Sequence, residues 1–143
     1  MKTESFSAED TYAYGKECGL AAVPGQVFCL YGDLGTGKTV FTQGLAAGLG
    51  IREPVSSPTF TIVQTYEDGR LPFFHFDVYR ISDPEEMMEI GFDDYIEGEG
   101  VCLIEWAGLI DELLPEKRTE IIIEKDLDRG FDYRLITRKE IDQ

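Results

Sequence analysis

The sequence predicts a single α/β domain over residues 1–143, with a mixed, mostly parallel central sheet that carries one antiparallel hairpin and is flanked by helices. Three observations lead there. The apolar run Val27–Tyr31 reads as a buried strand, and a glycine-rich loop carries it straight into a segment with apolar residues at Phe41, Leu45 and Leu49, the spacing of a helix packed on a sheet. The runs 60–66 and 71–79 flank Asp68-Gly69, a two-residue hairpin signal. Finally, 143 residues of which 43% are hydrophobic suffice for one buried core and argue against disorder.

Along the chain, Ser7 is followed three residues later by Asp10, a capping-box spacing that opens a helix running to Cys18 and closed by Gly19. Pro24-Gly25 turns the chain into the strand at Val27, and Gly50 stops the second helix. A Ser56-Ser57-Pro58 loop precedes the hairpin. Asp83-Pro84-Glu85-Glu86 then supplies a cap, a first-turn proline and two acids suited to a helix N-terminus, with Gly91 as the stop. Residues 101–106 form another buried strand, and Pro115 ends the segment after it. Residues 121–124 and 133–137 are the last strands, joined through Asp128-Arg129-Gly130. No repeat, low-complexity tract or long linker marks a second domain.

Charge and composition exclude several functions. Thirteen Lys+Arg against 28 Asp+Glu give a formal net charge of −15. A chain so acidic does not gain the counterion release that drives non-specific nucleic-acid binding, and an anionic membrane repels it. There is no apolar run long enough to span a bilayer and no basic-then-apolar leader, so the expected location is the cytoplasm. Three cysteines without a CxxC pair and a single histidine, His75, give no basis for a structural zinc or a disulfide.

The chemistry concentrates in Gly32-Asp33-Leu34-Gly35-Thr36-Gly37-Lys38-Thr39, which satisfies G-x-x-x-x-G-K-[ST] at every fixed position and sits between a strand and a helix. The glycines let successive backbone N–H groups wrap a phosphate, and the helix N-terminus adds its dipole. Lys38 is placed to balance the β- and γ-phosphates and Thr39 to ligate Mg²⁺, so the α/β fold is that of a P-loop NTPase. Mg²⁺ also needs a carboxylate at a neighbouring strand end. Two runs supply one: Phe73-Phe74-His75-Phe76-Asp77 and Val101-Cys102-Leu103-Ile104-Glu105. Glu105, at the end of the cleaner buried strand, is assigned to the metal, and Asp77 to orienting the attacking water or the metal shell; the residues alone leave these two roles exchangeable. The hydroxyls of Ser56-Ser57-Pro58-Thr59-Phe60-Thr61 could serve a switch loop, but such a cluster more often marks an ordinary one. Arg80 is expected to pair with nearby acids, His75 to be a satisfied structural histidine, and Trp106 to be either core or interaction surface.

Taken in order, the blocks GDLGTGKTVFTQGLAAGLG, SPTFTIVQTY, HFDVYR and VCLIEWA resemble the bacterial TsaE (YjeE) family, small ATPases of tRNA threonylcarbamoyladenosine (t6A) synthesis. The resemblance runs from residue 5 to residue 124. It implies ATP and Mg²⁺ as ligands, and functional roles for Lys38, Thr39, Asp77 and Glu105. Nucleotide contacts are implied for Asp33, Gly35, Thr36, Gly37, Lys38, Thr39, Val40 and Thr59 and for the helix start near Ala8 and Thr11, and the hydroxyls of Ser57, Thr59 and Thr61 are implied to form a switch loop; Arg129 is a further candidate at the base. The implied partner is a TsaD–TsaB complex, with tRNA reached only through it, and the implied activity is ATP hydrolysis that is slow alone and accelerated by partners. Two departures stand out: Ala107 occupies a position that is proline in some members, and the C-terminal strands match loosely. The competing readings are a small-molecule kinase, which shares the loop but usually closes arginines over the transferred group, and a nucleotide-dependent interaction module without turnover. Residues 81–116 contain no Lys or Arg, and the chain has no Asn with which to build the N-K-x-D element of a GTPase.

Overall fold

The computed structural model describes residues 1–33, 35–58 and 62–142. Among them is one seven-stranded sheet ordered β1-β7-β6-β2-β5-β4-β3. Its strands are β1 (Lys2–Ser5), β2 (Val27–Tyr31), β3 (Val63–Tyr66), β4 (Phe73–Asp77), β5 (Val101–Glu105), β6 (Lys117–Lys125) and β7 (Arg134–Asp142). The four central strands, β6, β2, β5 and β4, run parallel, and antiparallel pairs close both edges, as the predicted mixed sheet requires. Parallel strands are buried on both faces, which is why β2 and β5 read as unbroken apolar runs. On one face Phe28, Leu30, Leu103 and Ile121 pack against Phe41 and Leu45 of α2 (Lys38–Gly48). On the other, Cys29, Cys102 and Ile104 meet Phe92 and Ile110, from α4 (Phe92–Glu97) and the 3₁₀ segment Ala107–Leu113. No helix among the described residues is long and apolar enough to cross a membrane.

Several boundaries differ from expectation for identifiable reasons. The first helix, α1 (Ala8–Ala21), starts at the predicted cap, with the Ser7 hydroxyl accepting from the Asp10 amide, but it runs past Gly19. Gly15 and Gly19 are packing positions: a Cβ at Gly19 would stand 2.2 Å from the Leu45 carbonyl oxygen, and one at Gly48 2.2 Å from that of Lys16. Small residues on both helices let α1 and α2 cross in backbone contact. The hairpin of β3 and β4 forms in the expected antiparallel sense, yet Tyr66 pairs with Phe73, so the connection spans 67–72 and is not a two-residue turn. Tertiary bonds take up that loop: the Asp68 carboxylate accepts from the Arg52 amide (2.9 Å), the Arg70 amide donates to the Leu49 carbonyl (2.8 Å), and the Arg70 guanidinium caps the end of α1 at the carbonyls of Gly19 and Leu20 and that of Ala22 just beyond it. Gly91, in left-handed conformation, ends α3 (Glu85–Glu89) where the sequence placed the stop, and also starts α4, a helix the sequence did not predict.

At the far edge, β1 and the polar halves of β6 and β7 carry no apolar period. They form because residues 2–5 pair with 134–137, and because the Thr119 hydroxyl of β6 donates across the ladder to the Glu140 carboxylate, which also accepts from Arg138 on its own strand.

Candidate functional site

The parallel strands β2, β4 and β5 end side by side, and the glycine-rich loop leaves β2 at that edge. Gly35 (φ 77°) and Gly37 (φ 100°) adopt the left-handed region that the loop needs and that side chains disfavour. At Gly32 the requirement is space, since a Cβ there would lie 2.8 Å from the Ile123 carbonyl oxygen. The loop is closed internally by the Thr36 amide and hydroxyl, which both donate to the Asp33 carbonyl (3.3 and 2.8 Å). It is held from outside by Arg134 at the start of β7, whose Nε donates to the Thr36 carbonyl (2.8 Å) and whose Nη2 donates to that of Gly35 (3.2 Å).

Beneath the loop lies a cavity of about 450 Å³. Gly35, Thr36, Gly37, Lys38, Thr39 and Val40 line it from the loop and the first turn of α2. Asp77 and Glu105 enter from β4 and β5, where they are register partners, and Thr11 from α1. Asp33 is placed apart, lining an adjoining cavity of about 470 Å³ on the β6 side. Ser57 lines the main cavity, while Thr59 and Thr61 lie outside the described residues. Arg129 is not among the cavity residues; it pairs with Glu4 (2.8 Å) and lies over the Tyr133 ring. Arg80 is exposed and makes no ion pair among the described residues, contrary to expectation.

The charged centre is almost dry. Lys38 is 9% exposed, and its Nζ stands 3.9 Å from Glu105 Oε1 and 4.6 Å from the centre of the Trp106 ring. Glu105 is 5% exposed, and its Oε2 lies 2.7 Å from His75 Nε2. The pairing matters because an isolated charge at this depth would be strongly disfavoured. Asp77 Oδ1 accepts from the Tyr79 amide (3.0 Å). Trp106 adopts φ 62°, the one positive φ among described non-glycine residues, and its indole touches both Lys38 and the exposed Tyr79 (ring centres 4.6 Å apart). It is therefore part of the site wall and not simple core. The donors Thr39, Asp77 and Glu105 are all hard oxygens, the set Mg²⁺ prefers. Among the described residues no three His, Cys, Asp or Glu cluster as a metal cage.

Sequence reading missed Arg134 and Asp132, both of which line the cavity. Their local pattern gives no sign of it. Only the antiparallel pairing of β7 with β6 brings the start of β7 to the edge where β2 ends. Burial pushes the thiols of Cys29 and Cys102 up to about 12, consistent with packing roles for both.

A family model described as "Threonylcarbamoyl adenosine biosynthesis protein TsaE" matches residues 5–135. The chain is 50% identical over 137 residues to the tRNA threonylcarbamoyladenosine biosynthesis protein TsaE of Bacillus subtilis, covering 96% of this chain and 84% of that one. It is 45% identical to the protein of the same name from Treponema pallidum, covering 81% and 85%. A crystal structure of YdiB from Bacillus subtilis superposes with a TM-score of 0.81 at 43% identity, covering 99% of this chain and 85% of the other. A strand–loop–helix phosphate cradle, two register-paired acids and a sequence match over nearly the whole length converge, and the chain belongs to the TsaE family of threonylcarbamoyladenosine biosynthesis proteins.

Proposed function

We propose that this protein binds ATP with Mg²⁺ and hydrolyses it in the cytoplasm. Its turnover serves formation of the threonylcarbamoyl group on adenosine-37 of tRNA through a TsaD–TsaB complex, without performing the transfer itself. The observation that carries the reading is the convergence of Lys38, Asp77 and Glu105 on the cavity beneath a complete phosphate loop. The backbone N–H groups of 35–39 wrap the phosphates at the α2 N-terminus. Lys38 is held by Glu105 at 3.9 Å, close enough to be compensated and far enough to turn onto the β- and γ-phosphates. Thr39 and Glu105 would hold Mg²⁺, which supplies charge neutralisation on the phosphates when bound. Asp77 orients water for in-line attack on the γ-phosphorus, giving ADP and inorganic phosphate.

Steady-state hydrolysis with Mg²⁺ or EDTA, with and without TsaD–TsaB, tests this. The wild type should turn over slowly with Mg²⁺, be accelerated by the complex, and lose roughly 10²–10³-fold in kcat/KM in Lys38→Ala, the scale of removing one charge-stabilising donor. Phosphoryl transfer to a small hydroxyl acceptor would replace the reading with a kinase. Full support of tRNA modification by Asp77→Ala and Glu105→Ala, without hydrolysis, would replace it with a non-hydrolysing module.

A further inference from the structure

We infer that His75 is a positioning residue, which fixes the Glu105 carboxylate so that one oxygen is kept for the cavity; this rests on the reading of Glu105 as a ligand to Mg²⁺. In β4, Phe73, His75 and Asp77 project to one face, and the parallel register sets Asp77 beside Glu105 and His75 beside Leu103. His75, one residue pair further down the sheet, is 1% exposed, and its Nε2 reaches up to Glu105 Oε2 at 2.7 Å. A carboxylate only accepts, so Nε2 carries the hydrogen of this bond. The ring is steadied by Phe73, stacked at 13° with centres 6.2 Å apart.

Two features distinguish this from a histidine kept only for packing. Nδ1 is buried and has no hydrogen-bond partner among the described residues. An apolar ring would fill the same place beside Phe73 without leaving a buried polar atom unmet, so the imidazole is explained by its single bond to Glu105. The carboxylate is also divided between its neighbours. Oε2 is committed to His75, whereas Oε1 faces Lys38 across 3.9 Å. Without the histidine nothing on β4 restrains Oε2. Glu105 is then free to rotate and close the gap to Lys38 as a direct ion pair, which withdraws the metal ligand and the phosphate-binding ammonium together. Hydrogen bonds to ligating carboxylates are typically worth about 10–100-fold in metal affinity or activity.

The test compares His75→Leu, which removes the donor, with His75→Gln, whose amide can donate to the same oxygen. ATP binding is titrated by Trp106 fluorescence against Mg²⁺, and hydrolysis is followed in parallel. In His75→Leu the Mg²⁺ needed for half-maximal binding should rise by about 10-fold and kcat should fall by about 10–100-fold. His75→Gln should recover most of both, although the two variants unfold at similar temperatures. Where His75→Leu does not fold, His75→Asn, polar but too short to reach Glu105, takes its place with the same expected loss. An unchanged Mg²⁺ requirement, or losses in His75→Gln equal to those in His75→Leu, would overturn the inference. Failure of the underlying reading looks different: the wild type itself would show neither Mg²⁺-dependent binding nor hydrolysis.

Discussion

Trp106 gathers the chemistry of the site at the scale of one residue. It follows the last residue of β5 directly, in a left-handed conformation that costs a bulky side chain on the order of 1–3 kcal/mol and persists only where the surroundings fix it. Here the fixing contacts are the Lys38 ammonium and the Tyr79 ring. Any ligand that draws Lys38 toward phosphate removes the cation from the indole. As the chain has a single tryptophan, its emission should change saturably with ATP, and Lys38→Ala should abolish that change in a fluorescence titration. The sequence identified Lys38, Thr39, Asp77 and Glu105 because their motif spacing and strand-end positions are local properties. It gave no sign of the bond between His75 and Glu105, because a bond between residues 30 apart in the chain depends on the β4–β5 register.

Among elements, the α1–α2 crossing carries the most exact fit. Gly15, Gly19, Gly44 and Gly48 leave the two backbones in contact, and that contact sets the angle at which α2 presents its first turn to the cavity. Gly48→Ala should therefore destabilise the fold by about 1–3 kcal/mol or more through overpacking, despite the better helix propensity of alanine, and thermal unfolding will show it. The loop 67–72 offers a second test. The hydrogen bond from the Arg52 amide holds the Asp68 carboxyl below the ordinary aspartate range, so the unfolded chain binds its proton more readily than the folded one. Its stabilisation is complete above the ordinary aspartate pKa and disappears as pH falls through the lowered native value. The stability difference between wild type and Asp68→Asn in denaturant titrations should accordingly be greatest at neutral pH and shrink in acid. Asp68-Gly69 signalled the hairpin but not its length, since tertiary bonds to Arg52, Leu49 and α1 outcompete the short turn.

Over the whole molecule the charge is unevenly divided. Thirteen bases face 28 acids, yet the glycine-rich loop is braced by Arg134 and approached by Lys125, whose Nζ would stand 3.2 Å from a Cβ at Gly35. The acids between Arg80 and Lys117, apart from the buried Glu105, are exposed or half-buried, on a stretch that carries no Lys or Arg between them. If that stretch meets a basic surface on TsaD–TsaB, association should weaken as salt is raised from about 0.05 to 0.5 M, mainly through a slower on-rate. Affinity that does not change with salt, measured by surface plasmon resonance, would exclude this docking face.

By itself the sequence determined the phosphate loop, the parallel centre of the sheet, the hairpin and the four residues that face the cavity, because each rests on spacing within a few residues or on an unbroken apolar run. Only the tertiary structure decided the extra strand β1, the continuation of α1 past Gly19, the length of the hairpin loop, the bond between His75 and Glu105, and the arrival of Arg134 and Asp132 at the site. The physical reason is common to all of them. Each depends on pairings between residues far apart in the chain, set by strand register and helix contact, and such pairings leave no period or motif in the local sequence.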